Sequence, residues 1–264
     1  MNEIKKVVQE KYSLIAKQAN ATSCCGTSGC CSSTDYTTFN DSYNHLDGYH
    51  PDADLSLGCG IPTQFANIKQ GDHVLDLGSG AGNDCFVARA IVGETGQVTG
   101  LDFTEAMLTK ANENLQKLGY TNVSFVQGDI EAMPLGDALF DVVVSNCVLN
   151  LVPDKPKAFA EIMRVIKPGG HFCVSDVVIK GVLPDKLRKD AEMYAGCVSG
   201  AITQAEYMQV IESTGFTNIT LHKEKEIVIP TDILENYINQ EEMKAFQSGE
   251  TGIYSITVSG HKTL

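Results

Sequence analysis

The stretch His73-Val-Leu-Asp-Leu-Gly-Ser-Gly-Ala-Gly82 decides the fold. Its first half is a short apolar run of the kind that forms a buried strand, and its second half is a glycine-rich turn. Glycines there let the main chain approach a ligand without a Cβ in the way. The residues that follow read as a helix over about 83–92, whose N-terminus offers unpaired N–H groups to the same ligand. Outward from this point strands and helices alternate: a strand over 97–102, a helix over 104–119 and a strand over 122–128. A strand over 141–146 follows, built on Val142-Val143-Val144. Next comes a helix over 156–166 with Ala158, Phe159, Ile162, Val165 and Ile166 on its inner face. Pro168-Gly169-Gly170 is expected to be a turn, and His171 to Val178 the fifth strand. Alternation at this period predicts an α/β fold, a doubly wound, mostly parallel sheet with helices on both faces.

The flanks read differently. Residues 3–19 place Ile4, Val7, Val8, Ile15 and Ala19 at helical spacing, which predicts an amphipathic helix lying on the main body. Thr22 to Asn44 is rich in Ser, Thr, Gly and Cys without periodicity and reads as a loop; Tyr49 to Gly60 is a second connector, and Pro62 suits the first turn of a short helix. Beyond residue 180 the pattern loosens into a small C-terminal α+β extension, with helices expected near 184–196, 203–213 and 232–247 and strands near 216–229 and 252–261. The expected organisation is therefore an N-terminal helix and Cys-rich segment (1–61), a ligand-binding domain (62–180) and a region covering the acceptor site (181–264).

Composition narrows the function. With 20 basic against 33 acidic residues the chain carries −13, so it lacks the basic footprint that nucleic-acid partners require. No apolar run reaches the roughly 18 to 20 residues of a membrane span, and the first twenty residues carry charges throughout, unlike a secretory signal. The expectation is a cytoplasmic protein with no membrane partner. Nine cysteines, an odd number, then point to reduced thiols, some serving as ligands or redox groups. Four of them crowd into Cys24, Cys25, Cys30 and Cys31; the rest are Cys59, Cys85, Cys147, Cys173 and Cys197.

The spacing of the glycines separates two classes of ligand. Dinucleotide sites use G-x-G-x-x-G, which houses a pyrophosphate. Here Gly78, Gly80 and Gly82 give G-x-G-x-G, and Asp76 stands two residues before the first of them. Asp102 closes the second strand, placed to reach ribose hydroxyls, and Asp129 after the third is placed to accept from an adenine amino group. Together with Pro168-Gly169-Gly170 this pattern resembles the class I S-adenosylmethionine-dependent methyltransferases, over residues 62 to about 225. The resemblance implies a Rossmann-like sheet with S-adenosylmethionine held by Asp76, Gly78, Ser79, Gly80, Gly82, Asp102, Phe103, Met107, Asp129, Ile130 and Asn146, and Asp76 close to the charged methionine end.

The scattered cysteines refine the assignment. Taken singly, a cysteine is more often a small buried hydrophobe than a ligand, and Cys85 and Cys173 read as core. The set formed by Leu57-Gly58-Cys59-Gly60, Asp84-Cys85, Ser145-Asn146-Cys147-Val148-Leu149-Asn150-Leu151 and Tyr194-Ala195-Gly196-Cys197 resembles the arsenite S-adenosylmethionine methyltransferases. That resemblance implies that Cys59, Cys147 and Cys197 bind trivalent arsenic, delivered as arsenite or its thiol conjugates. It also implies that the Cys-rich N-terminal segment takes part in capture or redox cycling. Soft thiolates select soft metalloid centres, and three of them leave the arsenic lone pair free to attack a sulfonium methyl group. No general base is needed, because arsenic carries no proton to remove.

Methylation oxidises arsenic, so a thiol reductant, thioredoxin or glutathione, is expected as co-substrate. It would reopen a disulfide between Cys59 and an N-terminal thiol. Spacing leaves all four N-terminal cysteines open for that role, with Cys30 or Cys31 preferred. Two departures from the family stand out: Leu57 occupies a position often aromatic, and the sequence lacks the Cys-containing C-terminal region of longer relatives. Structural zinc at the N-terminal cluster is disfavoured, because adjacent cysteines chelate poorly and no histidine lies within it. Two other readings compete. A methyltransferase acting on carbon or oxygen of an organic acceptor would need a base, for which His45, His50 and His171 are the lone candidates. A metalloid sensor would leave the glycine turn idle.

Overall fold

The computed structural model describes residues 3–18, 41–182, 200–227, 235, 239–248 and 251–264. The strands are β1 (His73–Leu77), β2 (Gln97–Asp102), β3 (Val123–Gln127), β4 (Phe140–Asn146), β5 (Ile166–Lys180), β6 (Thr217–Glu226) and β7 (Gly252–His261). They form one sheet in the order β3-β2-β1-β4-β5-β7-β6. Neighbours run parallel except β7, which is antiparallel to both β5 and β6. The C-terminal α+β region thus supplies the last two strands of the same sheet. Strand order reverses at β1, which lies between β2 and β4. In open α/β sheets this is where a crevice opens at the carboxyl ends of the strands.

The helices are α1 (Glu3–Gln18), α2 (Asn83–Val92), α3 (Glu105–Leu118), α4 (Lys155–Val165), α5 (Gln204–Ser213) and α6 (Gln240–Gln247). Side chains alternate across the sheet with the period of a strand. Val74, Val142 and Val144 pack with Cys85, Phe86 and Cys173 on one face. Leu75, Leu77 and Val143 pack with Phe159, Ile162, Tyr207 and Ile211 on the other. Both faces are covered, which is why β1 and β4 are near-continuous apolar runs rather than alternating ones. Cys85 and Cys173 are fully buried, as expected of core residues.

Local chemistry sets the helix starts. Asp154 caps α4 by accepting from the Lys157 amide, with Pro156 in the first turn. Thr203 and Glu206 form a reciprocal capping box on α5, the helix expected over 203–213. One expectation needs correction. Pro168-Gly169-Gly170 does not separate helix from strand, because β5 begins at Ile166, which pairs with Phe140. The Gly169 amide donates to the Lys262 carbonyl, and the Lys262 amide to that of Gly170, so the pairing next to β7 carries the chain through the bend. Gly169 takes a φ of 79°, and the bend survives as a kink inside the strand. The helix expected near 184–196 lies outside the described residues, as do Cys24, Cys25, Cys30, Cys31 and Cys197.

Candidate active site

The glycine turn is anchored before it is shaped. The amides of Gly78 and Ser79 both donate to the Leu101 carbonyl at the end of β2, at 2.7 and 3.0 Å. Gly78 has a φ of 68°, and a Cβ there would stand 2.4 Å from Val148 Cγ2, so only glycine fits. Gly82, also left-handed, is the N-cap of α2. The Asp102 carboxylate completes the turn, accepting from the Gly80 amide through Oδ2 (3.0 Å) and from the Thr104 amide through Oδ1 (2.8 Å). Both oxygens are thereby oriented before any ligand arrives.

Above this turn lies an open cleft at the carboxyl ends of the strands. Gly78, Ser79, Gly80, Asp102, Phe103, Met107, Asp129, Ile130, Asn146 and Cys147 all line it. Asp76 and Gly82 stand behind the lining. The acidic side chain that reaches the cleft next to the turn is instead Asp84, on the first turn of α2. The apolar strand pattern could not have singled out Asp84, because it follows from the direction in which α2 leaves the turn.

Electrostatics give the cleft its character. Burial, then the like charges of Asp84 and Asp102, push the Asp76 carboxyl well above the usual carboxylate range, against a hydrogen bond from the Cys85 thiol (3.2 Å). Burial carries Asp84 up to about 6 despite donors from Tyr43 and Asn146. Burial also raises Asp102, against the backbone amides it accepts from. Three carboxyls held out of water favour a cationic guest. Among the described residues, buried oxygens of two lining side chains, Ser79 Oγ and Asn83 Oδ1, make no hydrogen bond and remain available to a polar ligand.

Helix α1 closes one side. Lys5, Val8 and Tyr12 line the cleft. The Lys5 ammonium bridges Asp129 (2.6 Å) and Glu131 (2.7 Å), while the Gln9 side-chain amide donates to the Phe103 carbonyl. Asp129 therefore reaches the cleft already paired through one oxygen, and its Oδ1 accepts from the Glu131 amide. The amphipathic pattern of residues 3–19 predicted the helix but gave no sign that it covers the ligand site.

The stretches that carry two of the expected thiols, Cys59 and Cys147, are tied together at one corner through Asn146. Cys147 follows β4 with a left-handed φ of 59°, and its amide donates to the Ser175 carbonyl on β5. The Cys59 amide donates to Asn146 Oδ1 at 3.1 Å, and the Cys59 carbonyl accepts from Ser255 Oγ on β7. Both thiols are buried, at 2% and 5% exposure. Charge on either sulfur acts on the phenol of Tyr207, which burial and its partner Asp176 hold well above its ordinary range. Behind this corner lies a buried polar group: Tyr207 donates to Asp176 (2.9 Å), and Lys155 donates to the carbonyls of Asn150, Val152 and Gly200. The histidines stand elsewhere. His171 contacts the Ala66 carbonyl and stacks on His261, and His45 meets Gln64. No histidine lines the cleft among the described residues. Those residues contain no cluster of three or more metal-binding side chains, and Cys197 lies outside them.

Comparison with known proteins agrees with this arrangement. A methyltransferase-domain family model matches residues 68–215, which hold the glycine turn, Asp102 and Cys147. An arsenite methyltransferase of Halobacterium salinarum is 40% identical over 83% of this chain and 59% of its own length. The Homo sapiens arsenite methyltransferase is 33% identical over 98% of this chain and 74% of its own. The crystal structure of an arsenic(III) S-adenosylmethionine methyltransferase from Chlamydomonas reinhardtii superposes with a TM-score of 0.66. It is 38% identical, over 78% of this chain and 68% of that one. The chain spans less than two thirds of the halobacterial relative's length, yet the human match runs through almost all of it. With the human relative at 33% identity over 74% of its own length and the methyltransferase-domain match over residues 68–215, the chain belongs to the arsenite methyltransferase family.

Proposed function

We propose that the protein transfers the methyl group of S-adenosylmethionine to trivalent arsenic held by cysteine thiolates. The observation that carries this reading is the hydrogen bond from the Cys59 amide to Asn146, which ties the Cys59 loop to the residue before Cys147 at the cleft, eighty-eight residues on. S-adenosylmethionine, when bound, supplies an electrophilic methyl group on a positively charged sulfur. The donor set suits it: buried Asp84 and Asp102 favour a cation, the fixed Asp102 carboxylate suits ribose hydroxyls, and Met107, Ile130 and Val8 offer apolar walls to the adenine.

The chain's own work is capture and alignment. Arsenite exchanges its three hydroxyls for three cysteine sulfurs, and each thiol proton leaves with a hydroxyl as water. Cys59, Cys147 and Cys197 are the proposed ligands. Holding the metalloid at the cleft edge turns an encounter in solution into a positioned displacement, where much of the rate enhancement of such reactions lies. Methylation raises arsenic formally to the pentavalent state, and two electrons from a thiol reductant, glutathione or thioredoxin, return it to the trivalent one. Cys30 and Cys31 are the N-terminal thiols proposed to relay them. Ligand thiols must stay reduced, so the proposed location is the cytoplasm. In agreement, no helix among the described residues is long and apolar enough to cross a membrane.

Mass spectrometry after incubation with arsenite, S-adenosylmethionine and glutathione tests the proposal. The expected products are methylated arsenicals with equivalent S-adenosylhomocysteine. Cofactor turnover on an organic acceptor, with arsenite left unmethylated, would overturn it.

A further inference from the structure

One side chain ties the Cys59 loop to the end of β4, next to Cys147. Asn146 Oδ1 accepts from the Cys59 amide at 3.1 Å, and its Nδ2 lies 2.9 Å from the Gly60 carbonyl, so a single amide group grips the backbone on both sides of the Cys59 sulfur. Nδ2 also reaches the Tyr43 hydroxyl (2.7 Å) and Asp84 Oδ2 (3.2 Å), and Tyr43 in turn donates to Asp84 and to the same Gly60 carbonyl. The main chain of Asn146 leads directly into Cys147. The fit leaves no slack, since a Cβ on Gly58 would stand 2.5 Å from Asn146 Nδ2. On the other side of Cys59, a Cβ on Gly60 would stand 2.6 Å from Ser175 Oγ.

We propose that Asn146 is the positioning residue of the arsenic site: its side-chain amide fixes the Cys59 loop against the chain that carries Cys147, and so sets the separation of the two sulfurs. Asn146 also lines the cleft, where sequence resemblance placed it among the cofactor contacts. The proposal rests on the reading that Cys59 and Cys147 are arsenic ligands. An amide is the group the position requires, because it offers an acceptor to the Cys59 N–H and a donor to the Gly60 carbonyl from one planar unit. A carboxylate has no donor, and a hydroxyl offers donor and acceptor from one atom rather than from two ends of a planar group. Asp84 and Tyr43 orient the amide from the cleft side, so the flip that would exchange its oxygen and nitrogen puts Oδ1 against the Asp84 carboxylate. The positioning is needed because the Cys59 loop belongs to no strand or helix and has no ladder of its own to hold it.

The test compares wild type with Asn146→Ala, Asn146→Asp and Gly58→Ala, using arsenite alone as the probe. Arsenic-edge X-ray absorption counts the sulfurs around bound arsenite, and calorimetry gives its affinity. S-adenosylhomocysteine affinity and thermal unfolding are measured in parallel. Wild type is expected to show three sulfur neighbours. Asn146→Ala is expected to show two, as Cys59→Ser does, with arsenite affinity lowered about tenfold or more, as for loss of one or two buried hydrogen bonds. S-adenosylhomocysteine affinity is read alongside because Asn146 also lines the cleft, and the sulfur count, taken without cofactor, carries the test. Gly58→Ala pushes on the same amide without removing it and should reproduce the loss of one sulfur. Should Asn146→Ala fail to fold, the isosteric Asn146→Asp carries the test, since it keeps the acceptor for Cys59 and loses the donor to Gly60. Three sulfurs and wild-type arsenite affinity in the variants overturn the proposal. Failure of wild type itself to bind arsenite through sulfur overturns instead the reading on which the proposal rests.

Discussion

Replacing Asp176 by Asn should erase one defined component of the pH dependence of stability. Asp176 is 1% exposed and accepts from the Tyr207 hydroxyl at 2.9 Å and the Val177 amide at 3.0 Å. Lys155 and the Asn150 amide also favour its charged form, but burial outweighs all four and carries the carboxyl up to about 7. An unfolded chain would release that proton near pH 4. Between about pH 4 and 7 the folded protein therefore holds a proton that the unfolded chain has lost, and its stability falls as pH rises through that window. A gap of about three pH units corresponds to something on the order of 4 kcal/mol, a large share of a typical domain's net 5–15 kcal/mol.

Asn cannot ionise. The hydrogen bonds it makes differently add an offset that does not vary with pH, so the difference between variant and wild type isolates the titration. Urea unfolding at intervals from pH 4 to 8 should show that difference moving in the variant's favour by a few kcal/mol, with most of the change below pH 7. The other shifted carboxyls, raised at Asp84 and lowered at Asp141 and Glu161, are present in both proteins and cancel. A difference that stays flat across the range refutes the argument that burial dominates at this site.

Three further outcomes are expected. Cys59→Ser and Cys147→Ser should each abolish methylation of arsenite while leaving S-adenosylhomocysteine affinity within about threefold by calorimetry; retained turnover of arsenite by either variant counts against the proposed function. Lys5→Ala removes the bridge to Asp129 and Glu131, whose half-exposed geometry limits its worth to about 1 kcal/mol. Steady-state kinetics should accordingly show the KM for S-adenosylmethionine raised about threefold to fivefold, with kcat within twofold. Gly78→Ala puts a methyl group into Val148 and forces a left-handed φ on alanine. A stability loss of about 2 kcal/mol or more and no measurable cofactor binding should appear in thermal unfolding and calorimetry, and wild-type values for both would contradict the packing described.

The sheet was legible because its signals are local. β1, β4 and the glycine turn are written in consecutive residues, and α5 announces itself through Thr203 and Glu206. The start of β5 was misread because Pro168 and Gly169 signal a turn whatever the partner strand does. Only the pairing of Gly169 and Gly170 with Lys262, some ninety residues on, keeps the chain in the sheet. Asp102 and Cys147 were legible from their intervals. Asp84, Tyr43 and the bridging part of Asn146 were not, since each depends on how loops remote in sequence dock, and no periodicity encodes that. Lys5 carries no signal either, because a lysine on an amphipathic helix ordinarily faces solvent.

The strand order has a consequence for biosynthesis. The loop bearing Cys59 is held by Ser255, and Gly60 is packed on Ser175 and Thr257, so two of its supports belong to the strand synthesised last among the seven. Residues 73–146, by contrast, already contain the whole glycine turn with its Asp102 anchor. A ribosome-bound chain can thus shape its glycine turn well before the Cys59 loop is pinned. Until β7 has been made, that loop lacks its hydrogen bond from Ser255 and the packing of Thr257.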